Sequence, residues 1–253
     1  MRAEISKALA LLARVKNPVP AVLDRMGIQR EPYVLRLRDG TKVELRPRVG
    51  DFFGMYEILL RNDYLAGGQR IDKGATVIDV GANIGCFTLL AAKIVGPSGR
   101  VIALEPEPST FAQLLRNIKL NGVTNVVPMQ LAVGARRGCV TLHAAPNALF
   151  TSLFTSVNGR DIAGVDHAVE MTTIEAIMDA NGISRCDYLK LDCEGAEHEI
   201  IASMPEATAR RIAQITLEVH KIAGHSGATL QTNLETLGYH RIGTSILPYY
   251  SRG

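Results

Sequence analysis

The sequence predicts a layered α/β fold built on a mostly parallel sheet, and three observations carry that reading. From residue 76 onward, short β-branched apolar runs alternate with stretches of helical period, the pattern of repeated strand–helix–strand units. The first such run, 76–80, ends in a small-residue turn at Gly81 that opens directly into a helix. With 253 residues, 47% of them hydrophobic, the chain can also bury a sizeable core.

The elements follow in order. Residues 2–15 carry Ile5, Leu9 and Leu12 at helical spacing and stop at Asn17-Pro18. Tyr33, Leu35 and Leu37 then alternate with polar neighbours, as do Val43 and Leu45, and Asp39-Gly40 between them predicts a β-hairpin with a two-residue turn. A helix containing Met55 and Leu60 precedes the first strand of the sheet. After it, Ile84, Phe87, Ala91 and Ile94 mark a helix ended by Gly96-Pro97, and 101–104 is the second strand. Phe111, Leu114, Leu115 and Ile118 form the next helical stripe, 125–131 a third strand, and 139–142 part of a strand pair. Residues 143–170 show no sustained period, which predicts a lid or mobile loop. Helix 172–181, strand 187–192, helix 196–204, strand 212–219, a helix through Leu237 and two short strands, 239–242 and 245–249, complete the chain.

Composition excludes several classes. No apolar run approaches the ~20 residues of a membrane-spanning helix, and the apolar stretch 8–13 is too short for a signal peptide. Cys86, Cys139, Cys186 and Cys193 lack paired spacing, which argues against zinc and against a disulfide framework. A cytoplasmic protein without a membrane partner is expected. The net charge of +3 divides into +6 over residues 1–50 and −3 over the rest. The helix and hairpin make up an extension, 1–52, ahead of a main domain, 53–253. With 5% aromatic residues and no Trp, base stacking has few rings to work with, so nucleic acid is not an expected partner.

Three clusters can carry chemistry. The first is Asp79-Val80-Gly81-Ala82-Asn83-Ile84-Gly85, followed by Glu105 at the end of the next strand. A glycine turn at a helix N-terminus admits a ligand close to the backbone, and an acid ending the second strand can accept from ribose hydroxyls. The spacing Gly-x-Asn-x-Gly is not the Gly-x-Gly-x-x-Gly of a pyrophosphate site, so a nucleoside without a diphosphate fits, S-adenosylmethionine being the commonest. The second is Asp192-Cys193-Glu194-Gly195-Ala196-Glu197 at the carboxyl end of a strand. Asp192 and Glu194 there read as a polar wall beside the reacting centre, or as ligands for a divalent metal. Glu197 reads as negative charge for the first turn of the following helix. In the third, Glu218 and His220 share one face at the mouth of the next strand, where an imidazole oriented by a carboxylate is a candidate general base. His143, His167, His198, His225 and His240 show no such pairing, and Cys193 reads as a packing residue.

Taken in order, residues 77–85, Glu105-Pro106 and 189–197 resemble the FkbM-type family of S-adenosylmethionine-dependent methyltransferases. Tyr56-Glu57 and Thr172-Thr173-Ile174-Glu175 agree with it; Ile174-Glu175 and Cys193 are conservative departures. The resemblance covers roughly residues 53–222. It implies a Rossmann-like class I methyltransferase with a seven-stranded, mostly parallel sheet, helices on both faces and an antiparallel last strand. It implies methylation of hydroxyls on small molecules, sugars or natural products. It further implies that Asp79, Gly81, Asn83 and Gly85 line the methionine and ribose portion of the cofactor, that Glu105 takes the ribose hydroxyls, that Ala132 lies by the adenine, and that Tyr56 and Glu57 close over it.

The expected reaction is in-line displacement at an activated methyl group, for which the protein supplies alignment and help with the acceptor proton. Asp192, which also borders the cofactor, Glu194, Glu218 and His220 are the candidate catalytic residues. The alternatives are N-methylation of an amine or amide, a cofactor-binding module without activity, and a nucleotide-dependent oxidoreductase, which the missing third glycine opposes. A homo-oligomer and a bound divalent metal are both left open.

Overall fold

The computed structural model describes residues 11–145, 151–162, 164–243 and 247–252. Five strands form its parallel centre: β3 (Thr76–Val80), β4 (Arg100–Leu104), β5 (Val126–Met129), β11 (Tyr188–Leu191) and β12 (Gln214–Leu217). With β13 (His240–Ile242) and β14 (Tyr249–Ser251) they make a seven-stranded sheet of order β13-β14-β12-β11-β3-β4-β5. β14 runs antiparallel to both of its neighbours. The seven-stranded, mostly parallel sheet with one antiparallel strand near its end is thus present. Strand order reverses between β3 and β11, which opens a crevice at their carboxyl ends where ligands of such folds bind.

Alternation along β3 and β4 divides the core. Ile78, Val80, Ile102 and Leu104 pack with Ile174, Ile177, Ile200 and Leu230 from the helices Ile174–Ala180, Glu197–Ser203 and Gly227–Thr236. Val77 and Val101 face Phe87, Ala91 and Val95 of the helix Cys86–Val95, and Ala103 packs on Leu114 of the helix Pro108–Asn121. Both faces are therefore covered, as a parallel sheet requires. Pro128 is accommodated because β5 is an edge strand and needs no further ladder donor.

The hairpin of β1 (Tyr33–Arg36) and β2 (Lys42–Leu45) forms, with a longer turn than expected. Gly40 N–H donates to the Leu37 carbonyl, and Gly40 takes φ 94°, the left-handed residue that closes a three-residue connection. The outer edge of β2 is covered by side chains of the helix Pro108–Asn121. Glu44 N–H donates to Asn117 Oδ1 at 2.7 Å, and Lys42 N–H donates to Asn121 Oδ1 at 2.9 Å. Leu35, Val43 and Leu45 share their apolar cluster with Ile84, Cys86 and Leu89. Of the expected N-terminal helix, residues 11–14 are helical with Leu12 exposed, while Ile5 and Leu9 lie outside the described residues.

The helix expected around Met55 is two pieces, α-helical Asp51–Met55 and a π-helix Tyr56–Arg61. The largest departure is in 143–170. Instead of a loop without period, β7 (Gly138–Ala144) pairs antiparallel with β10 (Val165–Thr172) over seven residue pairs, Val165↔Ala144 through Met171↔Gly138. β6 (Ala132–Val133) joins this second sheet, which ends the third strand at Met129 rather than Leu131. β8 (Ser156–Val157) and β9 (Arg160–Asp161) form a small hairpin between them. Thr172 accordingly belongs to β10, and the helix begins after Thr173, whose hydroxyl caps Ala176 N–H. Residues 146–150, 163 and 244–246, which include parts of the expected lid and of the expected strand 245–249, lie outside the described residues.

Candidate active site

A cavity of about 310 Å³ opens at the strand switch, bordered by the ends of β3, β4, β6, β11 and β12 and roofed by residues of the 51–64 and 151–158 segments. Its floor is the turn after β3. Gly81, at φ 73°, lets the end of β11 pass: a Cβ there would stand 1.7 Å from the Asp192 carbonyl oxygen. The amides of this turn are all engaged internally. Gly81 and Ala82 N–H donate to the Leu104 carbonyl, Asn83 N–H to Glu105 Oε2 at 2.9 Å, and Ile84 N–H to Asn83 Oδ1 at 2.6 Å. The turn therefore offers no free amide nest for a diphosphate, in line with its glycine spacing.

Glu105 borders the cavity and accepts one amide on each oxygen, Asn83 N–H on Oε2 and Glu107 N–H on Oε1. Each oxygen keeps a further lone pair for a ribose hydroxyl. Burial pushes its carboxyl up to about 7 against these donors. Asn83, Ala132 and Glu57 also line the cavity. Three residues expected there do not. Asp79 is fully buried behind the floor, accepting Thr88 Oγ1–H at 2.6 Å and lying 3.1 Å from Lys190 Nζ. Gly85 starts the helix Cys86–Val95 at φ 93°, and a Cβ there would meet Leu114 Cδ1 at 2.6 Å, so it answers to packing. Tyr56 turns into the apolar cluster beneath the hairpin.

At the other end Asp192, Glu194, Glu218 and His220 converge on the cavity wall. Asp192 Oδ2 accepts the Tyr64 hydroxyl at 2.7 Å and lies 3.4 Å from Lys190 Nζ. Burial opposes its ionisation, but the Lys190 and His220 charges and the Tyr64 bond hold the carboxyl below its usual range. Lys190, which pattern reading missed, is the buried cation joining Asp79 to Asp192; its Nζ also donates to the Gly81 carbonyl at 3.0 Å. It lies inside Tyr-Leu-Lys-Leu, a strand buried at all four positions in the fold, and nothing in that local pattern marks the lysine as buried.

Glu194 takes the left-handed φ of 51°, uncommon outside glycine, and Ser152 Oγ–H donates to its carbonyl at 2.6 Å. The Glu194 carboxylate lies 3.4 Å from His220 Nε2, and Glu218 lies 3.7 Å from the same nitrogen. Burial first, then the neighbouring carboxylates, push Glu194 up to about 8 against the His220 charge. Burial and the Asp192 charge push Glu218 up to about 7. For His220, burial disfavours the cation, yet the Glu197 bond and the Glu194, Glu197 and Asp192 charges outweigh it and raise the ring to about 10. A ring that keeps its proton at neutral pH is a donor, so the free imidazole base expected at His220 is not what this arrangement holds.

Glu197 likewise departs from its expected role: it is fully buried, and Oε1 lies 3.0 Å from His220 Nδ1. His143, expected without a partner, has Nδ1 2.7 Å from Asp166 across the β7–β10 pair. Cys193 is a thiol pushed upward by burial and by Glu197 and Asp192, with no sign of activation. For a divalent cation, the ligand atoms within 4.8 Å of one another among the described residues are those of Asp192, Glu218 and His220, so Glu218 replaces Glu194 in the expected set. Oxygen and imidazole donors suit such an ion, which would have to displace the proton on Nε2.

Comparison with known proteins places these features. The Methyltransferase FkbM domain matches residues 79–240. The 31-O-demethyl-FK506 methyltransferase FkbM of Streptomyces tacrolimicus is 30% identical over 220 residues, covering 76% of this chain and 84% of that protein. The methyltransferase sdnD of Sordaria araneosa is 25% identical over 58% of this chain and 67% of its own length. Among solved structures, a methyltransferase FkbM from Methylobacillus flagellatus shares the fold with a TM-score of 0.50 at 16% identity, over 79% of this chain and 53% of that one. Among the described residues, no helix is long and apolar enough to cross a membrane.

Proposed function

The chain belongs to the FkbM methyltransferase family and is an S-adenosylmethionine-dependent methyltransferase, and from that premise we propose that it methylates a hydroxyl of a small-molecule or natural-product acceptor. The observation that carries the hydroxyl is the carboxylate group at the cavity wall, where Glu218 is pushed up to about 7. An alcohol is a weak nucleophile until a base takes its proton, and a base poised near the working pH does this best. A neutral amine needs no such help.

When bound, S-adenosylmethionine would supply a methyl group activated by the sulfonium, with S-adenosylhomocysteine leaving as the neutral thioether. Glu105 would accept from the ribose hydroxyls of that cofactor, with Asn83, Ala132 and Glu57 also lining its site. Glu218 would take the proton of the acceptor hydroxyl as its oxygen bonds to the methyl carbon and the sulfur–methyl bond breaks. Asp192, held ionised by Lys190 and Tyr64, keeps negative charge at the reacting end. The protonated ring of His220 holds Glu194 and Glu218 in place. The Streptomyces relative is named as a methyltransferase of 31-O-demethyl-FK506, which supports an oxygen acceptor here.

The test is transfer of labelled methyl groups to a panel of hydroxylated and aminated acceptors, followed by mass spectrometry. We expect O-methyl products, with kcat/KM rising as pH increases through about 7 because the base must be ionised. Glu218→Gln should lower kcat about 100-fold or more, while S-adenosylmethionine at 100 times its Kd still stabilises the variant by ~2.7 kcal/mol. Products methylated only on nitrogen overturn the hydroxyl reading. A parallel assay with chelator tests the cation set: unchanged turnover removes metal from the reaction.

A further inference from the structure

We propose that Glu197 is a positioning residue for methyl transfer, clamping His220 so that its Nε2 faces the acceptor side of the cavity and holds Glu194 and Glu218. The inference rests on the proposed methyl transfer for its kinetic consequence, but not for its geometry.

A glutamate serving only the first turn of its helix sits at the surface, near that turn's own amides. Glu197 does neither. It is fully buried, and both oxygens are turned out of the helix Glu197–Ser203. Oε2 accepts Gly195 N–H at 2.9 Å, in the turn that follows β11. Oε1 accepts the backbone N–H of His220 at 2.7 Å and faces its ring Nδ1 at 3.0 Å. One carboxylate thus joins the turn after β11 to the segment after β12. The next residue adds a second grip: His198 Nε2 lies 2.8 Å from the His220 carbonyl oxygen.

The consequence is at the other ring nitrogen. A carboxylate on Nδ1 requires a proton there, which fixes the face that the imidazole turns to the cavity. Nε2 is then 3.4 Å from Glu194 and 3.7 Å from Glu218, both of which line the cavity. Without the clamp, a ring held only by these two partners is free to turn about its Cβ–Cγ bond, and the proposed base loses its fixed position. A misplacement of about 1 Å can cost ~100-fold in rate.

The experiment uses the full chain as wild type, Glu197→Gln, His220→Asn and the double variant. Glutamine can still accept on one side, but it sets a second N–H donor against Gly195 N–H and removes the charge. We expect Glu197→Gln to lower kcat about 10- to 100-fold with the Kd for S-adenosylmethionine changed less than about 3-fold. In the His220→Asn background the same substitution should change kcat less than about 2-fold, because its effect runs through His220. Multiplicative losses, or equal losses in cofactor binding and kcat, overturn the proposal. Nitrogen-15 spectra of the histidine rings give a readout that needs neither a variant nor an acceptor. Wild-type His220 should carry a hydrogen-bonded proton on Nδ1, and an unprotonated Nδ1 overturns the clamp. If no acceptor is methylated while that proton is present, it is the functional reading that fails.

Discussion

At the scale of single residues, the site is organised by a side chain that amphipathic reading passes over. The register of β3 against β11 sets Lys190 directly beside Asp79, and the ammonium is 3.1 Å from Asp79 Oδ1 and 3.4 Å from Asp192 Oδ2. Burial works against this charge, but the two carboxylates outweigh it and hold the lysine above its usual range. Removing one partner of a buried ion pair leaves an uncompensated charge, at a cost of about 3–5 kcal/mol. Lys190→Met should therefore lose about that much in a urea titration, and adding Asp79→Asn should restore part of it. A Lys190→Met protein as stable as wild type would show that the aspartates do not depend on the cation. Asp79, Asp192 and Glu105 could be picked out from the sequence because turns and strand ends advertise them. Lys190 could not, because Leu-Lys-Leu has the same period whether the lysine points to solvent or is paired across a parallel strand. Only the register separates the two.

Elements were legible where their own residues carry the period. The strand–helix alternation from β3 onward is local information, and so is the hairpin, whose Leu35, Val43 and Leu45 alternate within a few residues. The β7–β10 pair was not legible, since its two strands are joined through some twenty intervening residues and the first half of β10 buries no residue. A strand that hides only Val169, Met171 and Thr172 gives a weak alternation until its partner is known. The roof over the cavity shows how elements are tied together. Arg46, at the end of the hairpin, donates Nε–H to Asp51 Oδ2 at 2.9 Å and Nη2–H to Asp51 Oδ1 at 3.0 Å, and its backbone N–H donates to Oδ2 at 2.8 Å. Asp51 begins the segment whose Phe53, Glu57 and Arg61 border the cavity, and the π-helix within it is a rare form frequently found at functional sites. Asp51→Asn breaks this bidentate grip. We expect a loss of about 2 kcal/mol, less than for a fully buried pair because Arg46 keeps some contact with water. A calorimetric titration should show weaker binding of S-adenosylmethionine as well. Unchanged affinity would mean that the roof holds its position without the hairpin.

For the whole molecule, the site's electrostatics set a direction for stability against pH. Glu105, Glu194, Glu218 and His220 all have folded-state pKa values above their unfolded ones, at about 7, 8, 7 and 10. For such groups the native state binds more protons than the unfolded chain between the two values, so stability falls as pH rises through that window. The carboxyl groups act from about 4.5 up to 7 or 8, and His220 from about 6.5 up to 10. Glu218 contributes least, since nearly half of its side chain meets water. Asp192 works in the opposite sense, because its pKa is lowered in the folded state, but its window lies at the acid end and is already closed at neutral pH. The cofactor-free protein should consequently melt at progressively lower temperature from about pH 6 to pH 9, by scanning calorimetry at constant ionic strength. His220 also acts beyond pH 8, but its charge holds Glu194 and Glu218 down, so in His220→Asn the carboxyl part of the decline should move to higher pH. A melting temperature that holds steady or climbs over the same range would mean that the carboxylates at the cavity wall are ionised at neutral pH, and that Glu218 is too weak a base for the role proposed for it.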